Sequence, residues 1–260
     1  MTIGFELDGK KALVTGGGQG VGRGIAIMLA QAGATAVVND YVAERAQAVV
    51  AEIEAFGGSA IAAPFDVTDL DMVHDSVKGL GGVDILVNNA GNQGAEQGFG
   101  SLAMFHETSP ADWHKYFAIN TFGVMNCVHA VTPGMIASKW GRIITIVSDA
   151  ARHGEPSMAA YGGAKAAAAG FMRCIALELG RYNITANNVS LGTMRTPISE
   201  AMWANPDMAE QQKAALRPYV VRRPGKPEDP AWVIAMLASP RSEWITGQTI
   251  PVNGGYTFAL

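Results

Sequence analysis

Apolar residues fall in two alternating patterns along this chain. Dense short runs occupy 11–15, 35–39, 59–65, 83–87, 142–147, 183–190 and 249–252, and most end in a polar residue or a glycine turn. Such runs mark strands buried on both faces. Between them the apolar positions recur at helical spacing. The first helix covers about 21–32, with Ile25, Met28 and Leu29 on one face. Others are predicted over 41–56, over 69–78 with an N-cap near Thr68, over 110–135, from the Tyr161 region to about 182, and over 227–237. Residues 198–219 form an amphipathic segment of weak periodicity, and 92–110 read as a loop long enough to be functional. Strands alternating with helices predict an α/β fold. The expected architecture is one doubly wound parallel sheet of about seven strands, with helices on both faces. With no repeat or linker, 1–260 reads as a single domain.

Composition narrows the class of function. Apolar residues make up 48% and charged residues 16%, which suits a buried sheet rather than a disordered chain. A net charge of −4 without a Lys/Arg run gives no footprint for nucleic acid. No apolar run reaches membrane-spanning length, and the start MTIGFELDGKK lacks a signal-peptide core, so a cytoplasmic protein without a membrane partner is expected. Cys127 and Cys174 both fall in apolar helical patterns and are expected to be buried free thiols. No metal site is expected.

Candidate chemistry lies where strands end. After the first strand comes Thr15-Gly16-x-x-x-Gly20-x-Gly22, and a helix starts at once. Backbone N–H groups at that helix end would hold a pyrophosphate, which glycine lets approach closely. The turn fits neither GxGxxG nor a P-loop. Asp40 closes the second strand, placed to accept from ribose hydroxyls and to repel a 2′-phosphate. Farther on, Tyr161 and Lys165 stand four residues apart on a predicted helix, one turn apart on one face. A phenol titrates near 10, and a neighbouring cation favours its phenolate. Ser148 ends the fifth strand, at the sheet edge where α/β proteins bind ligands.

Taken together in order, these motifs resemble the short-chain dehydrogenase/reductase family over nearly the whole chain, which implies a Rossmann-type sheet. The glycine turn (Gly16, Gln19, Gly20, Val21, Gly22) matches the family's cofactor turn, and Asn88-Asn89-Ala90-Gly91 its structural motif. Asn120, Ser148, Tyr161 and Lys165 match its catalytic tetrad. By resemblance Asp66 and Val67 contact the adenine, while Gly192, Thr193, Met194 and Thr196 hold the nicotinamide carboxamide. The chain departs from the family at Leu191-Gly192, where Pro-Gly is usual. The implied activity interconverts a secondary alcohol and a ketone with NAD, using Tyr161 as general acid/base. Lys165 would lower the Tyr161 pKa and bind ribose, Ser148 would hold the substrate oxygen, and Asn120 would hold a relay water.

A substrate lid is expected at about 194–219. Met194, Met202 and Trp203 are its candidate substrate contacts, together with His153; Met104, Phe105 and His106 in the preceding long loop are weaker candidates. The substrate is expected to be a small hydrophobic or cyclic alcohol, or a 3-hydroxyacyl thioester as in a 3-oxoacyl thioester reductase. The Ala-rich face at 164–170 implies, by resemblance, a homotetramer, with a dimer as the alternative. Competing readings are an extended-branch epimerase or dehydratase, which would carry another glycine turn and a larger C-terminal part. A non-catalytic NAD-binding sensor or scaffold would have no need of the tetrad, and a methyltransferase none of YxxxK.

Overall fold

The computed structural model describes residues 4–91 and 103–258. In chain order the elements are β1 (Lys11–Val14), α1 (Gly20–Gln31), β2 (Thr35–Val38), α2 (Ala43–Ala55), β3 (Ser59–Ala62), α3 (Leu70–Gly79) and β4 (Ile85–Asn88). There follow α4 (Pro110–Phe117), α5 (Gly123–Ser138), β5 (Gly141–Ser148), α6 (Ala159–Leu179) and β6 (Ile184–Leu191). The last are α7 (Glu200–Ala204), α8 (Ala209–Leu216), α9 (Glu228–Ala238) and β7 (Thr249–Val252).

The seven strands form one parallel sheet in the order β3-β2-β1-β4-β5-β6-β7. Strand alternation explains the two-sided burial. Ala12 and Val14 face a core with α1, α2 and α9, whereas Leu13 between them faces a second core with α3, α5 and α6. Strand order reverses between β1 and β4, which opens a crevice at their carboxyl ends. The long loop expected at 92–110 lies largely outside the described residues; from it, Met104, Phe105 and His106 are exposed.

Four sequence expectations shift, each for a physical reason. Strand β3 stops at Ala62, short of 65, because the Asn39 side chain takes over the carbonyls of Ala63 (3.0 Å) and Phe65 (2.9 Å). Asp69 rather than Thr68 caps α3, accepting from the Met72 N–H, while the Thr68 hydroxyl turns to Asp66. The helix expected over 110–135 is interrupted by one π-helical turn at Ala118–Phe122. Cys127 is buried, and burial pushes its thiol up to about 12. Cys174, however, is exposed: the buried stripe of α6 runs through Ala168, Met172, Ala176 and Leu179, and 174 falls on the opposite side.

One buried charge is placed in the sheet itself. Arg142, near the start of β5, has no exposed surface. Its guanidinium donates to the carbonyls of Gly141 (3.1 Å), Asn183 (3.3 Å), Ser239 (3.3 Å) and Pro240 (3.3 Å), and stacks 4.7 Å above the Trp140 ring. Carbonyl acceptors stand in for the lost water, which is the condition for burying a polar group. Among the described residues, no helix is long and apolar enough to cross a membrane, and no group of three or more metal-ligating side chains occurs.

Candidate active site

Side chains from β1, β2 and β4 shape the glycine turn. Thr15 Oγ1 accepts from the N–H groups of Asn89 (3.0 Å) and Ala90 (3.1 Å). Asn89 in return donates from Nδ2 to the Thr15 and Gly16 carbonyls, at 3.0 Å each. Asn39 Oδ1 accepts from the Gly16 N–H. Gly16 and Gly20 lie at φ of 60° and 54°, where glycine carries no steric penalty. Helix α1 then opens at Gly20 with no side-chain cap from Gln19 and no acid in its first turn. Its free N–H groups and positive end therefore face the crevice, a fit for a pyrophosphate.

Asp40 lies buried at the end of β2 and accepts from the Val42 N–H at 3.0 Å. A β-carbon at Gly18 would stand 2.6 Å from Asp40 Oδ2 and 2.7 Å from Arg45 Cβ, so that glycine leaves the carboxylate room. Arg45 is thus nearer this point than its helical position suggests, although its guanidinium lies 5.9 Å from the exposed Tyr41 ring. Arg23 is paired with Glu52. Asp66 is exposed and uses Oδ1 on Thr68, and the Val67 carbonyl is taken by Asn126. Asn88 is buried; its Nδ2 donates to Thr145, and its Oδ1 has no partner among the described residues.

The four tetrad candidates come from three elements and converge. Ser148 ends β5, Tyr161 and Lys165 rise from α6, and Asn120 sits in the π-turn. A β-carbon at Gly91 would lie 2.8 Å from Asn120 Oδ1 and 3.1 Å from Lys165 Nζ. The π-turn is what aims Asn120, whose Nδ2 donates to the Tyr116 carbonyl at 3.0 Å. The Tyr161 ring meets the edge of Tyr116 at 6.2 Å. Burial pushes the Tyr161 phenol up to about 12; the neighbouring Ser148 hydroxyl works against this and the charge of Glu155 adds to it. Lys165 is buried, donates to the Ile146 carbonyl at 2.9 Å, and is pulled down by burial to about 8. The expected lowering of the phenol by this lysine is therefore not what the protein alone displays: burial is the largest influence on the phenol and raises it.

Beyond β6 the chain is clamped by a residue the sequence did not flag. Tyr219 donates its hydroxyl hydrogen to Thr193 Oγ1 (2.8 Å) and accepts from the Thr193 N–H (2.7 Å). Its ring lies where a β-carbon on Gly192 would be, 2.9 Å from Cε1. Leu191 stays in the sheet, paired with Ser148 on one side and Val252 on the other. Met194 packs against Gly225, and Thr196 hydrogen-bonds Ser199 while its side chain faces Gly20. Within the lid, Gln212 ties α7 to α8 through the carbonyls of Met202 (2.8 Å) and Asn205 (2.9 Å). Trp203 is half-buried, and its indole nitrogen has no partner among the described residues. His153 is exposed, edge-on to Tyr256 at 5.6 Å. No periodicity marks Tyr219 or Tyr256, whereas Asn39 stands beside Asp40 and was findable by position.

Residues 16–257 match the family model described as enoyl-(acyl carrier protein) reductase. The 7alpha-hydroxysteroid dehydrogenase of Escherichia coli (strain K12) is 36% identical over 255 residues, covering 96% of this chain and 95% of that protein. A 7alpha-hydroxysteroid dehydrogenase solved with NADH and 7-oxo glycochenodeoxycholic acid has a TM-score of 0.86 at 36% identity, covering 96% and 95% of the two chains. A gluconate 5-dehydrogenase from Burkholderia cenocepacia J2315, crystallised with NADP and tartrate, has a TM-score of 0.88 at 32% identity over 98% of each chain. With the parallel seven-stranded sheet and the glycine turn at its switch point, these matches make the chain a member of the short-chain dehydrogenase/reductase family, oxidoreductases that act on CH–OH groups with a nicotinamide cofactor.

Proposed function

We propose that the protein is an NAD(H)-dependent oxidoreductase interconverting a small secondary alcohol and its ketone, with Tyr161 as general acid/base. The approach of Asn120 and Lys165 to each other beside Gly91, with Tyr161 one turn before Lys165 on α6 and Ser148 at the end of β5, carries this reading. Ser148 would donate a hydrogen bond to the substrate oxygen and steady its developing charge. Tyr161 would take the carbinol proton in oxidation and return it in reduction. Its high phenol pKa suits the acid role as it stands, and oxidation needs the phenolate. Lys165, fixed by Ile146, would add positive charge and hold a ribose, and Asn120 would hold a relay water.

The residues present fit a dinucleotide. The uncapped start of α1 with Gly16, Gln19, Gly20, Val21 and Gly22 would hold the pyrophosphate, and Asp40 the adenosine ribose. Asp66 and Val67 would flank the adenine, Asn88, Ala90 and Gly91 with Tyr161 and Lys165 the second ribose, and Gly192, Thr193, Met194 and Thr196 the carboxamide. The nicotinamide, when bound, supplies the hydride acceptor or donor for the carbinol carbon.

NAD rather than NADP follows from Asp40. A 2′-phosphate would meet a buried carboxylate across Gly18, and every ~1.4 kcal/mol of such repulsion is tenfold in preference. Asp40→Ser should raise the NADP/NAD ratio of kcat/KM by about tenfold or more. A native preference for NADP, or an unchanged ratio in the variant, defeats the assignment.

Residues 194–219 would close over the substrate, with Met194, Met202, Trp203 and His153 around it. Trp203→Ala should alter the ranking of bulky over small alcohols by about tenfold while leaving the KM for cofactor nearly unchanged. Equal loss on every alcohol, accompanied by a lower Tm, would mark Trp203 as packing only. Exposed Leu177 on α6 and Trp244 support a homo-oligomer, a tetramer by resemblance or a dimer. The free Cys127 and Cys174 accord with a reducing, cytoplasmic setting.

A further inference from the structure

Tyr219 ends the lid segment, and Thr193 stands just before that segment begins. One side chain joins the two. Tyr219 Oη accepts from the Thr193 N–H at 2.7 Å and donates its hydrogen to Thr193 Oγ1 at 2.8 Å. The Thr193 carbonyl accepts from the Gly225 N–H at 2.9 Å. A phenol has one hydrogen, and the N–H already approaches its oxygen, so Thr193 Oγ1 is the acceptor of that pair. The Thr193 N–H is thereby spent, and the donor the residue keeps for a ligand is its own hydroxyl hydrogen. Burial pushes the Tyr219 phenol above its ordinary value, which holds the shared hydrogen on the tyrosine.

The Tyr219 ring is buried in a slot that fixes where its hydroxyl lies. A β-carbon on Gly192 would stand 2.9 Å from Cε1 and 3.0 Å from Oη, so the missing side chain is what lets the ring reach the turn. Tyr256 stacks on the ring at 4.8 Å, with the two planes 25° apart. A β-carbon on Gly254 would lie 3.4 Å from Cδ1. This second wall is itself tied down. The Val221 N–H donates to the Gly254 carbonyl at 2.8 Å, and the Tyr256 N–H to the Asn253 carbonyl at 3.2 Å. Asn253 Nδ2 in turn donates at 2.6 Å to Asp149, which is buried directly after Ser148 and also accepts from Ser190 Oγ at 2.6 Å. A polar group held from both sides in this way is the support that a binding constellation requires.

We propose that Tyr219 is a positioning residue for the nicotinamide: it anchors the turn at 192–196 and makes Thr193 meet the carboxamide as a hydroxyl donor rather than through its N–H. The inference rests on the dehydrogenase reading above and gives a role in that site to a residue outside it. It also accounts for Leu191-Gly192 in place of Pro-Gly. Leu191 stays in the sheet between Ser148 and Val252, and a side chain 26 residues beyond Thr193 stiffens the turn in place of a proline ring.

Tyr219→Phe keeps the ring between Gly192 and Tyr256 and deletes only the hydroxyl. The test measures Kd of the full chain for NADH and NADPH, and for ADP-ribose and its 2′-phosphate, the matching fragments without nicotinamide. Tm is recorded alongside. The variant should bind the preferred dinucleotide about tenfold or more weaker, since the Thr193 N–H loses its acceptor and the turn its anchor. Affinity for the matching fragment should stay within about twofold. Tyr256→Leu loosens the ring from behind with both hydroxyl bonds still possible, and should give a smaller selective loss, about threefold. That variant decides the matter if Tyr219→Phe fails to fold, and absence of a selective loss in it then sinks the proposal. Equal weakening of dinucleotide and fragment would mark Tyr219 as packing only. Unchanged or tighter dinucleotide binding in Tyr219→Phe, or a native protein that binds dinucleotide no better than fragment, also overturns the positioning role. Each of these leaves the dehydrogenase reading standing, whereas a native protein that binds neither dinucleotide overturns both.

Discussion

Tyr161→Phe will abolish turnover while leaving binding of the nicotinamide nearly intact. The ring keeps its contact with Tyr116 and its place on α6, so neither the fold nor the glycine turn loses a packing partner. What disappears is the hydroxyl that, in the proposed role, carries the proton. Among the described residues no titratable side chain is hydrogen-bonded to Ser148, whose Oγ accepts from the Ala150 N–H. Lys165, the nearest candidate on α6, is turned to the Ile146 carbonyl. General acid–base participation is worth about 10²–10⁴-fold, and the loss should lie at the upper end because no substitute is in reach. Single-turnover absorbance of the nicotinamide, beside a direct binding titration, separates the two quantities. Retention of more than about a tenth of native kcat would remove Tyr161 from the chemistry.

A second large effect is expected at Gly22, where the change is a single methyl group. A β-carbon there would collide with the Gly16 carbonyl oxygen and stand 2.5 Å from Asn89 Nδ2. Neither neighbour can yield easily: Asn89 is bonded to the carbonyls of Thr15 and Gly16, and the same turn is held by Thr15 Oγ1. Gly22→Ala must therefore displace backbone, at about 3 kcal/mol or more. In a chain of this size each kcal/mol lowers Tm by about 2–4 °C, so a fall of roughly 6–12 °C is expected, together with loss of cofactor binding. Gly134→Ala is the control. It lies inside α5 with nothing within 4 Å of its would-be β-carbon, and alanine is the better helix former. If Gly22→Ala melts within about 2 °C of the native protein, the close approach is not a constraint on the fold.

Much of the fold was legible because its signals are local. Seven apolar runs and the helical periods between them predict the sheet, and residues such as Asp40 and Ser148 are found at strand ends simply because the strands stop there. Where the outcome differed, a particular side-chain contact or the phase of a helix decided it. Asn39 reaches 24 and 26 residues ahead to replace the last links of β3, a substitution no period reveals. The π-turn at Asn120 leaves the apolar pattern of the surrounding helix almost untouched, so the sequence reads as one continuous helix. For Lys165 the spacing to Tyr161 was right, but the carbonyl that captures its ammonium belongs to β5, 19 residues earlier. Tyr219 and Tyr256 lie in stretches without periodicity, and their stacking at 4.8 Å joins residues 37 positions apart.

The buried guanidinium of Arg142 bears on time rather than chemistry. Two of its carbonyl acceptors, on Ser239 and Pro240, lie 97 and 98 residues farther along the chain. During synthesis at roughly 5–20 residues per second, about 5–20 s separate the making of the arginine from the making of those acceptors. Through that interval, seating the first residues of β5 would bury a guanidinium that lacks two of its four carbonyl acceptors, which favours leaving the centre of the sheet open to water on the nascent chain. Completion of the sheet therefore waits for the end of α9 to emerge from the ribosome.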